Sequence, residues 1–497
     1  MELGRLVEAA GGVCPEKFLR RNIKGLVYDS REAGPGLLFF CLVGAKHDGH
    51  EFAADAYLRG CRDFVCERQL ELPPDASQTI AANSRQALAA MAAEFYGHPA
   101  KRLTLIGVTG TKGKTSVASY IQHILNYSAG LRGNPHIAAL VGTNGIDIRG
   151  VVTPTPNTTP ESLILHRSFA EMAERGVKYA VLEVSSQAYK TFRVHGIEFD
   201  FGVFTNLSHG DHIGPAEHAT FEEYRDCKAQ LFANSKFAVI NADDEYAGYM
   251  ARALPAGAEY VTCGIRSAAD YAIYGIEKWK SPTALGVSFT LRYGKESVAL
   301  SVPCPGEFSA TNAALAYAVA RELGVPAAEI AQALRAATVR GRFELVEVLP
   351  YATFIIDYAH NELSLERALS AIREYGPARL VCLFGSVGGR SQLRRPLLAK
   401  VAEKYADFCI VTADNPDDEP VENIMRDIVR GFSPGYHSYT CIPDRGQAIE
   451  FAVETARVGD VVLLAGKGHE NYQLIGGERV PFSERAFLQL AGRRAYV

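Results

Sequence analysis

The chain has 497 residues, enough for about three domains. Lys plus Arg number 52 and Asp plus Glu 56, a formal net charge of −4, whereas a dedicated nucleic-acid binder carries a basic surplus. A 47% hydrophobic and 22% charged composition excludes a disordered chain. No apolar run approaches the ~18 residues of a membrane helix, and the first residues lack the basic start and apolar stretch of a secretory signal. The expectation is a cytoplasmic, monomeric protein with no nucleic-acid or membrane partner. The 10 cysteines include no CxxC pair, so neither a zinc site nor a disulfide scaffold is expected.

Along the chain, short β-rich runs alternate with amphipathic helical stretches, the pattern of α/β layers with mainly parallel sheets. A helical stretch over 84–95 stops at Gly97-His98-Pro99, and a buried strand is predicted over 103–108. The loop from Gly107 to Ser116 follows, then a helix whose Val117, Tyr120, Ile121, Ile124 and Leu125 share one face. Strand, glycine-rich loop and helix in that order form a phosphate site. Gly110 and Gly113 let backbone N–H groups approach phosphate oxygens, and the helix N-terminus adds partial positive charge. Thr111, Lys112 and Ser116 belong to the same loop. Lys114 supplies a cation for the β- and γ-phosphates, and Thr115 a hydroxyl for Mg²⁺. The full P-loop pattern fails at one position, where Val108 replaces its first glycine.

A second boundary is placed near 338–341, giving segments 1–99, 100–338 and 339–497. In the last segment four apolar runs, 353–356, 380–384, 408–411 and 461–465, each end in polar or glycine clusters. Ligands bind beyond the carboxyl ends of strands in open α/β sheets, so these clusters are predicted to share one rim.

The motifs together resemble the Mur ligases, and within them the type that adds the third residue of the peptidoglycan peptide. The resemblance rests on Tyr28-Asp29-Ser30-Arg31, the Gly-Lys-Thr loop, Asn157-Thr158-Thr159-Pro160, Glu183-Val184-Ser185-Ser186 and Phe204-Thr205-Asn206-Leu207. It continues through Asp357-Tyr358-Ala359-His360, Asp414-Asn415-Pro416 and Gly466-Lys467-Gly468-His469-Glu470. It implies an N-terminal UDP-sugar domain, a central ATP domain and a C-terminal Rossmann-like amino-acid domain. The family reaction is amide formation: ATP phosphorylates the carboxylate of a UDP-MurNAc-peptide, and an amino acid's amine displaces phosphate.

The resemblance also implies site residues. Thr115 and Glu183 would serve one Mg²⁺ and His212 a second, with hard oxygen ligands suiting magnesium. Lys228 matches a lysine that the family carbamylates with CO₂, turning a cation into an anion for the second Mg²⁺. Lys114, Glu183, His212 and Lys228 are thus the catalytic set. Asn312 matches an adenine contact, with a helix cap as its local role, while Arg342, Asp357 and His360 match nucleotide contacts. Ser30, Asn157, Thr158, Thr159, Ser185 and Arg193 would hold the UDP-sugar peptide. Arg390, Asp414, Asn415, Asp417, Gly466 and Glu470 would form the amino-acid pocket.

Enzymes specific for meso-diaminopimelate usually read Asp-Asn-Pro-Arg, but here Asp417 stands in the fourth place, followed by Asp418 and Glu419. An anion for a cation reverses the electrostatics, so L-lysine or another basic diamino acid is predicted, with meso-diaminopimelate the alternative. Other classes are weighed on the same residues. A folylpolyglutamate synthase would lack the segment with Asp29-Ser30-Arg31. An inactive nucleotide-binding regulator would have lost some of Lys114, Glu183, His212 and Lys228, and all four are present. A motor ATPase would want a polymer-binding surface, of which the charge gives no sign.

Overall fold

A computed structural model describes residues 1–44, 47–209, 213–214, 217–389 and 392–495. The chain forms two compact units, Met1–Ala269 with Ala318–Leu323 and Asp270–Tyr317 with Gly324–Val497.

The first unit opens on a small parallel sheet of β1 (Gly25–Val27), β2 (Leu37–Phe40), β3 (Asp63–Cys66) and β4 (Ser77–Ile80), in that spatial order. Successive residues of a strand point to opposite faces. Leu38, Phe40 and Val65 therefore meet the helices Leu3–Ala9 and Ser84–Phe95, while Phe39, Cys41, Phe64 and Cys66 fill a second core. Both faces being covered explains the unbroken apolar run of β2.

The same unit carries a larger sheet. Its strands are β5 (Thr104–Thr109), β6 (Ala138–Gly142), β7 (Gly145–Ile148), β8 (Val151–Thr153), β9 (Tyr179–Glu183), β10 (Phe199–Phe204), β11 (Ser235–Asn241) and β12 (Glu259–Gly264). They lie in the order β12-β11-β10-β5-β9-β6-β7-β8. Pairing is parallel from β12 to β6 and antiparallel at β7 and β8. Strand β5 sits centrally, so the loop it feeds opens between neighbouring strand ends.

The second unit begins with an antiparallel meander, β13 (Tyr271–Lys280), β14 (Leu285–Tyr293) and β15 (Glu296–Val302). Its main sheet comprises β16 (Glu344–Leu349), β17 (Ala352–Asp357), β18 (Arg379–Phe384), β19 (Phe408–Val411), β20 (Tyr439–Cys441) and β21 (Asp460–Ala465). The order is β16-β17-β21-β18-β19-β20, parallel except for β16. Strand residues alternate between two cores: Ile355, Cys382, Cys409 and Leu463 on one face, Phe354, Leu383, Ile410 and Leu464 on the other. A hairpin, β22 (Tyr472–Ile475) and β23 (Glu478–Pro481), follows β21. The four apolar runs are thus adjacent parallel strands, and the clusters that follow them share the carboxyl rim as expected. Among the described residues no helix is long and apolar enough to cross a membrane.

Candidate active site

In the first unit the phosphate loop leaves β5 and enters the helix Lys114–Gly130. Gly110 and Gly113 have φ of 149° and 84°, a region that disfavours side chains. A Cβ on Gly110 would lie 1.9 Å from Thr205 Oγ1. The strand end after β10 holds the loop from that side. Thr111 N–H donates to Asn206 O (2.8 Å) and Lys112 N–H to Asn206 Oδ1 (3.0 Å). Thr205 Oγ1 donates to Lys112 O at 2.6 Å. Thr205 and Asn206 thus shape the loop, a role their strand-end motif alone did not declare. Lys114 Nζ donates to Gly110 O (2.8 Å) and Thr111 O (3.1 Å), poised over the loop's centre. Ser116 occupies the helix's first turn.

Glu183 closes β9 and is 1% exposed, so it is a buried carboxylate, not a solvated strand end. Thr115 Oγ1 donates to its Oε2 at 2.8 Å, Thr143 Oγ1 to the same oxygen at 3.1 Å, and Thr143 N–H to Oε1 at 2.8 Å. This cluster of a carboxylate and neutral hydroxyls beside the phosphate loop is a hard-oxygen set that suits Mg²⁺ completed by phosphate and water. Lys228 lies on the helix Phe221–Ala233 and is 2% exposed, with Nζ donating to Gly110 O at 2.8 Å. Burial, with Lys114 close by, holds its amine well below the ordinary lysine range. Lys114, Thr115, Glu183 and Lys228 are therefore gathered around one loop. His212, the remaining catalytic candidate, lies outside the described residues.

Next to Glu183, Thr159 Oγ1 donates to Glu183 O (2.8 Å) and accepts from Ser185 N–H (3.0 Å). Arg193 Nη1 donates to Thr159 O at 3.1 Å, and its Nε pairs with Glu161 at 3.1 Å. Arg85, from the N-terminal sheet's helix, pairs with the same carboxylate at 3.0 Å. Thr158 Oγ1 lies 3.3 Å from Thr143 Oγ1, and Asn157 is half-buried one residue before. Thr158, Thr159, Ser185 and Arg193 thus cluster beside Glu183 and Thr143. Ser30 opens a 3-10 turn capped by Asp29.

In the second unit, Arg342, Asp357 and His360 come together around Tyr358. The Arg342 guanidinium lies 5.1 Å from the Tyr358 ring centre, and His360 Nδ1 donates to Tyr358 O at 2.9 Å. Asp357 Oδ2 accepts from Phe343 N–H at 2.8 Å, and burial raises its carboxyl against the pull of Arg342. Asn312 does not cap a helix: it lies inside the helix Glu307–Glu322, 7% exposed.

The rim after β19 and β21 forms a compact polar group. Lys467 is fully buried and donates to Asn415 Oδ1 and Glu470 Oε2, each at 2.7 Å. Asn415 Nδ2 donates to Glu470 Oε2 at 3.0 Å. Asp414 is 3% exposed, with Lys467 Nζ 3.8 Å away, and among the described residues its Oδ1 has no hydrogen-bond partner. Burial raises the Asp414 carboxyl although Arg445 and Lys467 oppose it. Gly466, at φ 115°, lets the loop pass close, since a Cβ there would sit 2.9 Å from Asp414 Oδ2. Lys467 is a residue the motif reading passed over, although it stands inside the quoted Gly466–Glu470 run.

The structure gives Asp417 a structural task. Its Oδ1 accepts from Gly477 N–H at 2.8 Å and its backbone pairs with Leu474 and Gly476, so it fastens the β22–β23 turn. Glu419 is likewise engaged, held by the buried Arg395 at 2.6 Å, which keeps its carboxyl down at about 2. Of the three acidic residues, Asp418 stands exposed. Arg390 lies outside the described residues.

Three family models cover the chain: "Mur ligase family, catalytic domain" over 22–96, "Mur ligase middle domain" over 108–320 and "Mur ligase, glutamate ligase domain" over 341–468. A UDP-N-acetylmuramoyl-L-alanyl-D-glutamate–2,6-diaminopimelate ligase of Geobacillus thermodenitrificans is 39% identical over 501 residues, covering 99% of each chain. The like-named protein of Geobacillus kaustophilus is 41% identical over 480 residues, 95% of each chain. A solved structure of a ligase with that name matches with a TM-score of 0.70 and 28% identity over 100% of both chains.

Proposed function

We propose that this chain, which belongs to the Mur ligase family, adds meso-diaminopimelate to UDP-MurNAc-L-Ala-D-Glu in peptidoglycan precursor synthesis. As a family member it is an ATP-dependent, ADP-forming amide ligase. The full-length likeness to ligases named for 2,6-diaminopimelate carries the choice of substrates. It favours that amino acid over the lysine expected from Asp417, whose carboxylate is occupied in the hairpin turn.

Each cluster then has a task. The loop amides and Lys114 hold the phosphates and offset negative charge as the γ-phosphoryl moves to the peptide carboxylate. Thr115 and Glu183 would hold Mg²⁺, which supplies Lewis-acid charge neutralisation when bound. The amine of Lys228, whose charged form burial disfavours, suits capture of CO₂ as a carbamate, the anion that would serve a second Mg²⁺ with His212. Asn312, Arg342, Asp357 and His360 are assigned to the nucleotide. Ser30, Asn157, Thr158, Thr159, Ser185 and Arg193 are assigned to the UDP-sugar peptide, and Arg390, Asp414, Asn415, Gly466 and Glu470 to the amino acid. Segments 1–99, 100–338 and 339–497 divide these roles in a cytoplasmic monomer.

The test is phosphate release by the purified chain with ATP and Mg²⁺. Release should require both UDP-MurNAc-dipeptide and an amino acid, run faster with meso-diaminopimelate than with lysine, and yield a tripeptide by mass. Release without either partner would overturn the reading.

A further inference from the structure

The hairpin after the Gly466–Glu470 loop is not a loose appendage. Asn415 Oδ1 accepts from Leu474 N–H at 3.0 Å, Gln473 Nε2 donates to Asp414 O at 2.9 Å, and Asp417 N–H donates to Leu474 O at 2.8 Å. With Gly477 on the Asp417 carboxylate, these bonds fix the hairpin's register against the Asp414–Asp417 segment. The antiparallel register then pairs Leu474 with Arg479 and Tyr472 with Pro481.

That register brings a second cation to the polar group. The Arg479 guanidinium lies over the Tyr472 ring, 4.6 Å from its centre, and Lys467 Nζ lies 5.2 Å from the same centre. The two cations are therefore no more than about 10 Å apart. Arg479 is exposed and, among the described residues, forms no ion pair. A planar guanidinium held on an aromatic face keeps its edge for a bidentate carboxylate. Asp414 and Glu470, both beside Lys467, suit an ammonium, and Arg479 lies within about 10 Å of that same Lys467. A 2,6-diamino diacid carries an ammonium and a carboxylate at each end, and its seven-carbon chain spans roughly 7–8 Å between carboxyl carbons. Lysine ends in an ammonium alone, which a second arginine repels.

Resting on the ligase reading above, we propose that Arg479 is the specificity-determining cation for the second carboxylate of the incoming amino acid. In this chain it takes the place of the arginine that Asp417 displaces. Asp417 contributes by locking the hairpin that presents it.

The test compares wild type, Arg479→Ala and Arg479→Lys with saturating ATP and UDP-MurNAc-dipeptide, varying meso-diaminopimelate or L-lysine. In Arg479→Ala the ratio of kcat/KM for meso-diaminopimelate over lysine should fall about 100-fold, through KM for the diacid. Arg479→Lys keeps the charge without the fork and should fall between. A merely structural arginine would lower both amino acids alike. An unchanged ratio in an enzyme that uses meso-diaminopimelate overturns the role of Arg479 and leaves the ligase function standing. A wild type that accepts lysine and rejects meso-diaminopimelate overturns this proposal together with the amino-acid assignment. Its ATP- and dipeptide-dependent turnover would still establish the ligase.

Discussion

Lys228 places an amine in the interior with a second ammonium nearby and a backbone carbonyl as its hydrogen-bond partner. The unfolded chain binds a proton there that the folded chain resists. Stability therefore rises with pH between the depressed folded value and the ordinary lysine value, and Lys228 costs stability at neutral pH. Lys228→Met in bicarbonate-free buffer should raise the thermal midpoint by roughly 2–4 °C while ligase turnover falls at least ~100-fold. An active Lys228→Met enzyme would remove this residue from the chemistry. Gly142 makes a second residue-scale case. Its Cβ, if present, would meet Glu183 Oε1 at 2.2 Å, and the next residue's N–H holds that same oxygen. Gly142→Ala should displace the carboxylate and raise the Mg²⁺ concentration for half-maximal rate about 10-fold, with a near-native circular dichroism spectrum. An unchanged Mg²⁺ dependence would show that Glu183 is not a metal-site residue.

At the scale of elements, the polar rim after β19 and β21 rests on a strut buried beneath it. Arg445, at the start of the helix Arg445–Glu454, pairs with Glu484 at the start of Glu484–Ala495. Arg445 also donates to Ala413 O and Ala465 O, each at 2.9 Å, tying together the chain just before Asp414 and Gly466. Removing one partner of a buried pair strands the other charge, so Arg445→Ala should cost about 3–5 kcal/mol in urea unfolding. Arg445→Met with Glu484→Leu should restore most of that stability yet leave KM for the amino acid raised about 10-fold, because the two strand ends lose their tie. A double variant with native KM would reduce the strut to packing. This pair also shows where sequence reading stops. The phosphate loop was legible because strand, glycines, Lys114-Thr115 and an amphipathic helix are consecutive. The four rim strands were legible because each is a short apolar run. Arg445 belongs to no local motif, since its partner and carbonyls lie 39, 32 and 20 positions away. Asp417 is a case of the same kind: its charge was visible in the sequence, but the turn that its carboxylate fastens was not.

Across the whole molecule, each unit holds a histidine that resists protonation. His166, in the first unit, is 3% exposed against Phe169, and burial pushes it down from 6.5 to about 4. His469, in the second, is pushed to about 4 by burial first and then by Arg342. The unfolded chain protonates both rings as pH falls below 6.5, whereas the folded chain does so only near 4. Stability is therefore lost through that window, by on the order of 2–3 kcal/mol for His166. Among the described residues neither ring nitrogen of His166 has a hydrogen-bond partner, so the ring also carries an uncompensated desolvation cost at neutral pH. His166→Leu should consequently stabilise the helix Ser162–Glu174 by about 1 kcal/mol at pH 7. It should also remove this residue's share of the acid loss, widening its advantage over wild type as pH falls to 5. Amide exchange in that helix at pH 7 and 5 reads the effect locally, without requiring both units to unfold together. An advantage that stays constant between the two pH values would show that His166 is protonated in the folded chain, and that acid sensitivity arises elsewhere.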